Sequence, residues 1–150
     1  MYQHILIPTD GTELSYESAE HALALAKSLG ARVTAIHVMP EYLAPAFAES
    51  PTFVQRSYEE FVKTTEADAT RALDAVTTAA KDAGVECSVV RVRDAQPYRH
   101  IIDTAAKSGC DLIFMASHGR RGLSAILLGS ETSKVLTHTR IPVLVHRKGG

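Results

Sequence analysis

Two cysteines, no tryptophan and almost no net charge define what this chain does without. Cys87 and Cys110 have no second thiol or histidine at metal-ligand spacing, which argues against a zinc ribbon or a disulfide-stapled scaffold. They read as small buried residues rather than reactive thiols, and a reducing, cytosolic setting is the simpler expectation. A formal charge of −1 gives the whole-protein field no means of attracting nucleic acid or an anionic membrane. No apolar run approaches the roughly 20 residues of a membrane span. Met1-Tyr2-Gln3-His4 leads directly into Ile5-Leu6-Ile7, so neither a signal peptide nor a membrane anchor is expected. Two phosphate-binding signatures are also missing. Without Gly-Lys-Ser/Thr there is no P-loop lysine, and without Gly-x-Gly-x-x-Gly after the first strand a dinucleotide enzyme is disfavoured. No complete set for phosphoryl transfer is present. The histidines are scattered, with no helical pair of them at metal spacing, and no metal site is expected.

What the chain does have is alternation between short β-rich runs and longer helical ones. Its 150 residues are 45% apolar, enough for one domain, 1–150, with its own core. His4 to Pro8 reads as a first strand. Thr12 or Ser15 caps a helix to about Leu29, with Gly30 after it. Arg32 to Met39 is a second strand, ending near His37, whose ring reads as packing. Pro40 to Ser57 carries three prolines and little periodicity, and reads as a long irregular loop. Tyr58 to Ala83 shows an apolar stripe at helical spacing. Val85 to Val92, Asp111 to Ala116 and Ile141 to His146 complete five strands, with Arg91 and Arg93 interleaved among the valines of the third. Pro97 to Lys107 and Ser130 to His138 are the remaining helices, and Leu123 to Leu128 has room for one helical turn. This order predicts an α/β fold: an open, doubly wound, mostly parallel sheet with helices on both faces. In such sheets ligands bind beyond the carboxyl ends of the strands, where the strand order reverses. The turns after strands 1 and 4 meet that description.

The most informative stretch lies in the second of those turns. Ala116-Ser117-His118-Gly119 leaves strand 4, and Gly129-Ser130-Glu131-Thr132 opens the last helix. Glycines let backbone N–H groups turn toward an anion, and a helix start adds unpaired donors and positive potential. The pattern therefore reads as a phosphate cradle built from Gly119, Gly122, Gly129 and Ser130. Ser130 as a plain helix cap, with Glu131 favoured by the dipole, is the competing explanation. It leaves Gly119 and Gly122 unexplained. Arg121 has the charge to neutralise phosphate, whereas Arg120 fits a solvated loop. Glu131 must point away from phosphate or meet a metal ion. Asp10 suits a ribose hydroxyl or a metal-linked water, or else an Asx turn before Gly11. Ser117 beside His118 is not expected to form a nucleophile–base pair, because adjacent side chains rarely face each other and no orienting acid is evident.

These residues resemble the universal stress protein family in its ATP-binding branch, and the resemblance covers essentially the whole chain. It rests on Ile5 to Thr12, Ala35 to Val38, Asp111 to Met115, Ser117 to Leu123, Leu128-Gly129-Ser130 and Ile141 to Val145. The family's nucleotide pattern is Gly, two residues, Gly, nine residues, Gly, then Ser or Thr. Gly119, Gly129 and Ser130 match it, and Ala116 stands where the first glycine would be. The resemblance implies a Rossmann-like sheet of order 3-2-1-4-5 and a cytoplasmic homodimer joined through the last strand, Ile141 to Val145. It implies ATP, with or without Mg or Mn. Carried over by position, Pro8, Thr9 and Asp10 would line adenine and ribose, and Val38 would offer main-chain groups to the base. Met115 and Ala116 would pack against base and ribose. His118, Gly119, Arg121 and Gly122 would wrap the phosphates, with Gly129, Ser130, Glu131 and Thr132 meeting them at the helix start. A nucleotide-dependent stress-response module is the function implied. A slow ATPase or nucleotidyl-transfer enzyme, or a non-binding member acting through protein contacts, are the alternatives.

Overall fold

The structure, a computed structural model, describes residues 1–47, 50–119 and 127–149. Among the described residues nine elements follow one another: β1 (His4–Pro8), α1 (Glu13–Leu29), β2 (Arg32–Met39), α2 (Pro51–Ala83), β3 (Cys87–Arg93), α3 (Pro97–Ser108), β4 (Leu112–Ala116), α4 (Ser130–His138) and β5 (Val143–His146). The five strands form one parallel sheet in the order β3-β2-β1-β4-β5. The order therefore reverses between β1 and β4.

Strand side chains alternate between the two faces, so each central strand feeds two cores. Ile5, Ile7, Val33, Ala35, Leu112 and Phe114 pack under α1 and α2 with Ala22, Leu23, Leu73 and Val76. Leu6, Ile36, Ile113 and Met115 pack under α3 and α4 with Ile101, Ala105 and Val135. Burial on both faces explains why the central strands read as continuous apolar runs rather than alternating ones.

The long helix departs from the sequence expectation. Residues 51–57, read as loop, form the first two turns of α2. Ser50 caps it and Pro51 sits in its first turn. The apolar stripe begins later because these turns stand clear of the core, leaving Phe53 and Tyr58 about half exposed. The two arginines of β3 grip this helix. Arg91 binds Glu66 at 2.8 Å, and Arg93 bridges Thr65 Oγ1 at 2.9 Å and the Pro40 carbonyl at 2.7 Å. Cys110 is buried, and burial with the nearby Asp111 carboxylate pushes its thiol up to about 11. Cys87 is only half-buried, at the β3 edge.

His4 carries a pH signature. Its ring is buried and Nε2 lies 2.7 Å from Thr34 Oγ1. Burial, then the Arg32 guanidinium, hold its pKa below the ordinary 6.5. The unfolded chain therefore takes up this proton first, and stability present above that value is lost as pH falls through it. Melting temperatures at pH 7.5 and 5.5 should fall more for the parent than for His4→Gln.

Candidate functional site

Parallel pairing of β1 with β4 sets their carboxyl ends side by side. At the β1 end the turn is built by internal bonds. Thr9 N–H donates to the Ile36 carbonyl at 2.9 Å, and Nδ1–H of buried His37 donates to the Thr9 carbonyl at 2.8 Å. The Thr9 hydroxyl accepts from Gly11 N–H at 3.3 Å and lies 3.1 Å from Ser15 Oγ. Asp10 Oδ1 accepts from Thr12 N–H at 3.0 Å and from the Thr12 hydroxyl at 2.6 Å. That is an Asx turn. Thr12 Oγ1 in turn accepts from Ser15 N–H and caps α1. The other Asp10 oxygen lies against Gly119, where a Cβ would collide with it. One carboxylate thus closes its own turn and reaches the turn of the neighbouring strand. A cavity of about 460 Å³ opens on the α1–α2 side of this turn, lined in part by Thr9, Gly11, Thr12, Tyr16 and Arg71.

At the β4 end the start of α4 is drawn back onto the strand. Ser117 N–H donates to the His146 carbonyl at 2.8 Å, and Gly129 N–H donates to the Ser117 carbonyl at 2.7 Å. The buried Thr132 hydroxyl donates to the Ala116 carbonyl at 3.0 Å. A Cβ on residue 129 would stand 2.9 Å from His118 Cα and 3.3 Å from the Ser117 carbonyl oxygen. Both obstacles are backbone, so this approach requires glycine.

The helix start itself differs from the competing explanation. Gly129, not Ser130, is the cap residue of α4, and it brings no side-chain hydrogen bond. The first bond within the helix runs from Ser133 N–H to the Gly129 carbonyl. The N–H groups of Ser130, Glu131 and Thr132 precede it and have no acceptor inside the helix. Other helix starts are served by side chains: Thr12 on α1, Ser50 on α2, and Glu131 on α3, whose Oε2 accepts from Tyr98 N–H at 2.9 Å. That contact answers the Glu131 question, since its carboxylate is turned to α3 and to Lys134 at 3.4 Å.

The sequence-predicted residues divide into those on the two turns and those that support them. Asp10, Ala116, His118, Gly119, Gly129 and Ser130 come together around the two turns. Thr9 and Thr132 are buried, with their hydroxyls committed to holding the turns. Met115 packs in the core under α3 and α4. Pro8 and Val38 are half-buried at the ends of β1 and β2, and Val38 packs against the α3–α4 core. Arg121 and Gly122 lie outside the described residues, as do Arg120 and the segment Leu123 to Ile126. Ala116 is accommodated without strain. It lies in β4, paired with His146, and no described residue other than glycine has positive φ. Contrary to expectation, Ser117 Oγ and His118 Nδ1 do meet, at 3.2 Å. Ser117 is 4% exposed, which keeps that hydroxyl from acting as a nucleophile on a bound ligand. His37 is the supporting residue the sequence concealed, because its bond to Thr9 crosses between strands.

An open, all-parallel sheet wound on both faces, with two polar turns meeting at its switch point, defines a doubly wound α/β protein. The chain belongs to the universal stress protein family, whose model matches residues 1–147. Universal stress protein MJ0531 of Methanocaldococcus jannaschii is 35% identical over 148 residues, 99% of this chain and 84% of that one. MJ0577 of the same organism is 30% identical over 158 residues, 99% of this chain and 96% of that one. The solved structure of MJ0577 matches with a TM-score of 0.81 at 28% identity, over 100% of this chain and 99% of that one. A universal stress protein family protein from Arabidopsis thaliana, solved with AMP bound, shares the fold at a TM-score of 0.70 and 15% identity, over 99% of this chain and 93% of that one. Among the described residues, no helix is long and apolar enough to cross a membrane.

Proposed function

We propose that this protein binds ATP at the β1–β4 switch point and acts as a nucleotide-dependent regulatory module of the stress response in the cytosol. The observation that carries this reading is the meeting of two turns where side chains are excluded, beside an uncapped helix start. A Cβ at Gly119 would collide with the Asp10 carboxylate of the β1 turn, and one at Gly129 with the backbone of Ser117 and His118, so both approaches admit only glycine. Backbone amides of Gly119, Ser130, Glu131 and Thr132 would hold the phosphates, with His118, Arg121 and Gly122 around them and Mg or Mn as an optional counter-ion. Gly129 brings the helix start onto the strand end through its own bond to Ser117. Asp10 and Pro8 would flank ribose and base, with Ala116 beneath the sugar and Val38 beside the base. Thr9 and Met115 would act from behind, as supports. AMP in a protein of this fold is consistent with an adenine nucleotide. The chemistry supplied is binding: amide dipoles hold an anion, and the uncapped helix adds its potential.

Among the described residues no strand pairs with the outer edge of β5, and Pro142 precedes it. An apolar edge carrying Leu144, 38% exposed, favours pairing with a second copy, and we assign the homodimer contact there. The binding test is thermal. A ligand that binds only the folded state at 100 times its Kd adds about 2.7 kcal/mol, or roughly 5–10 °C for a chain of this size. ATP, ADP and AMP are each titrated, and ATP is expected to give the largest rise. No rise with any of them would remove the nucleotide reading and leave a family member acting through protein contacts.

A further inference from the structure

Glu17 and His21 stand four residues apart on α1 and so share one face of that helix. His146, the last residue of β5, reaches the same place from the sheet. His146 Nε2 lies 3.2 Å from Glu17 Oε1. The His21 and His146 rings stack with centroids 4.5 Å apart and planes inclined by 28°. One donor atom from each of the three residues lies within 4.8 Å of the other two. The Glu17 and His146 side chains are 34% and 13% exposed, while His21 is on the outside. The cluster is thus anchored on one side and open on the other.

We propose that Glu17, His21 and His146 bind one transition-metal dication of the zinc class, with a fourth position left to solvent. Two imidazoles and one carboxylate are a donor set that zinc accepts with an open coordination site. Bond lengths near 2.1 Å place tetrahedral donors about 3.4 Å apart. The Glu17–His146 pair already stands near that separation. Rotation of the exposed His21 ring out of its stack closes the remainder. Imidazole nitrogen selects zinc, nickel or copper over magnesium and calcium, which take oxygen donors. His146 is the most constrained ligand, because its carbonyl accepts the Ser117 N–H at 2.8 Å. None of the three is a residue assigned above to the nucleotide. Sequence spacing hides the site, since His146 lies 129 positions from Glu17.

The test uses the full chain, free of any histidine tag and stripped with chelator, titrated calorimetrically with ZnCl2 and separately with MgCl2. One zinc per chain and no saturable magnesium binding are expected. Loss of an outer-shell partner typically costs 10–100-fold in metal affinity. Removing a ligand through His21→Ala or His146→Ala should therefore weaken zinc by more than roughly tenfold. His21 is exposed, so its variant should keep the parent's circular dichroism and melting temperature. Co2+ added to the parent should give the visible bands of a tetrahedral site, and these should vanish in His21→Ala. Absence of saturable zinc binding would overturn the proposal. So would unchanged affinity in His21→Ala, or binding lost only when Cys87 and Cys110 are changed to serine.

Discussion

Gly129→Glu should abolish ATP binding while leaving the fold intact. Residue 129 lies 2.7 Å from the Ser117 carbonyl through its own N–H, and a Cβ there would press on His118 Cα at 2.9 Å. The turn must therefore open, and the added carboxylate then faces the same anion as the helix start. Hydrogen bonds to charged groups contribute about 1.5–3 kcal/mol each. Losing two of them raises Kd by roughly 10²–10⁴. Gly129→Ala separates the two causes, because it adds the contact without the charge and should weaken binding by a smaller factor. Calorimetric titration with ATP reads both. Undiminished affinity in Gly129→Glu would place the phosphates elsewhere.

Ile113→Ala should have the opposite profile, a large loss of stability with ATP binding kept wherever the variant is folded. Ile113 is fully buried in β4 between Leu6 of β1 and Val143 of β5. Truncating it removes about 2–5 kcal/mol through lost burial and the cavity left behind. For a chain of this size the melting temperature falls by roughly 5–20 °C. Its side chain packs with Ile101, Met115 and Val135 beneath the sheet, not at the crevice. A loss below about 1 kcal/mol would mean that this core layer collapses around the gap instead of keeping it.

Much of this architecture was legible because central strands buried on both faces leave unbroken apolar runs, as in Ile5-Leu6-Ile7 and Leu112 to Met115. Polar turns after the first and fourth of those runs then mark the switch point. Gly119 and Gly129 were legible for a related reason, since backbone approach leaves glycine as its trace. Helical turns that do not touch the core leave no such trace, which is why residues 51–57 read as loop. Interactions between distant residues were hidden altogether. Glu131 serving Tyr98, His37 serving Thr9, and His146 joining Glu17 and His21 each depend on elements brought together only by folding. Strand alternation also sets Met115 in the core beneath α3 and α4, while its neighbour Ala116 ends the strand.

Backbone amides do the work claimed for this site, so their own resonances are the most direct witness. In the uniformly 15N-labelled protein, ATP should shift the amide signals of Gly119, Gly129, Ser130, Glu131 and Thr132 most strongly, with Asp10 and Gly11 following. AMP should perturb the Asp10 side while leaving the start of α4 less affected. Saturating ATP that leaves the residue 129–132 amides unmoved, or shifts instead the outer edge of β3, would contradict the account.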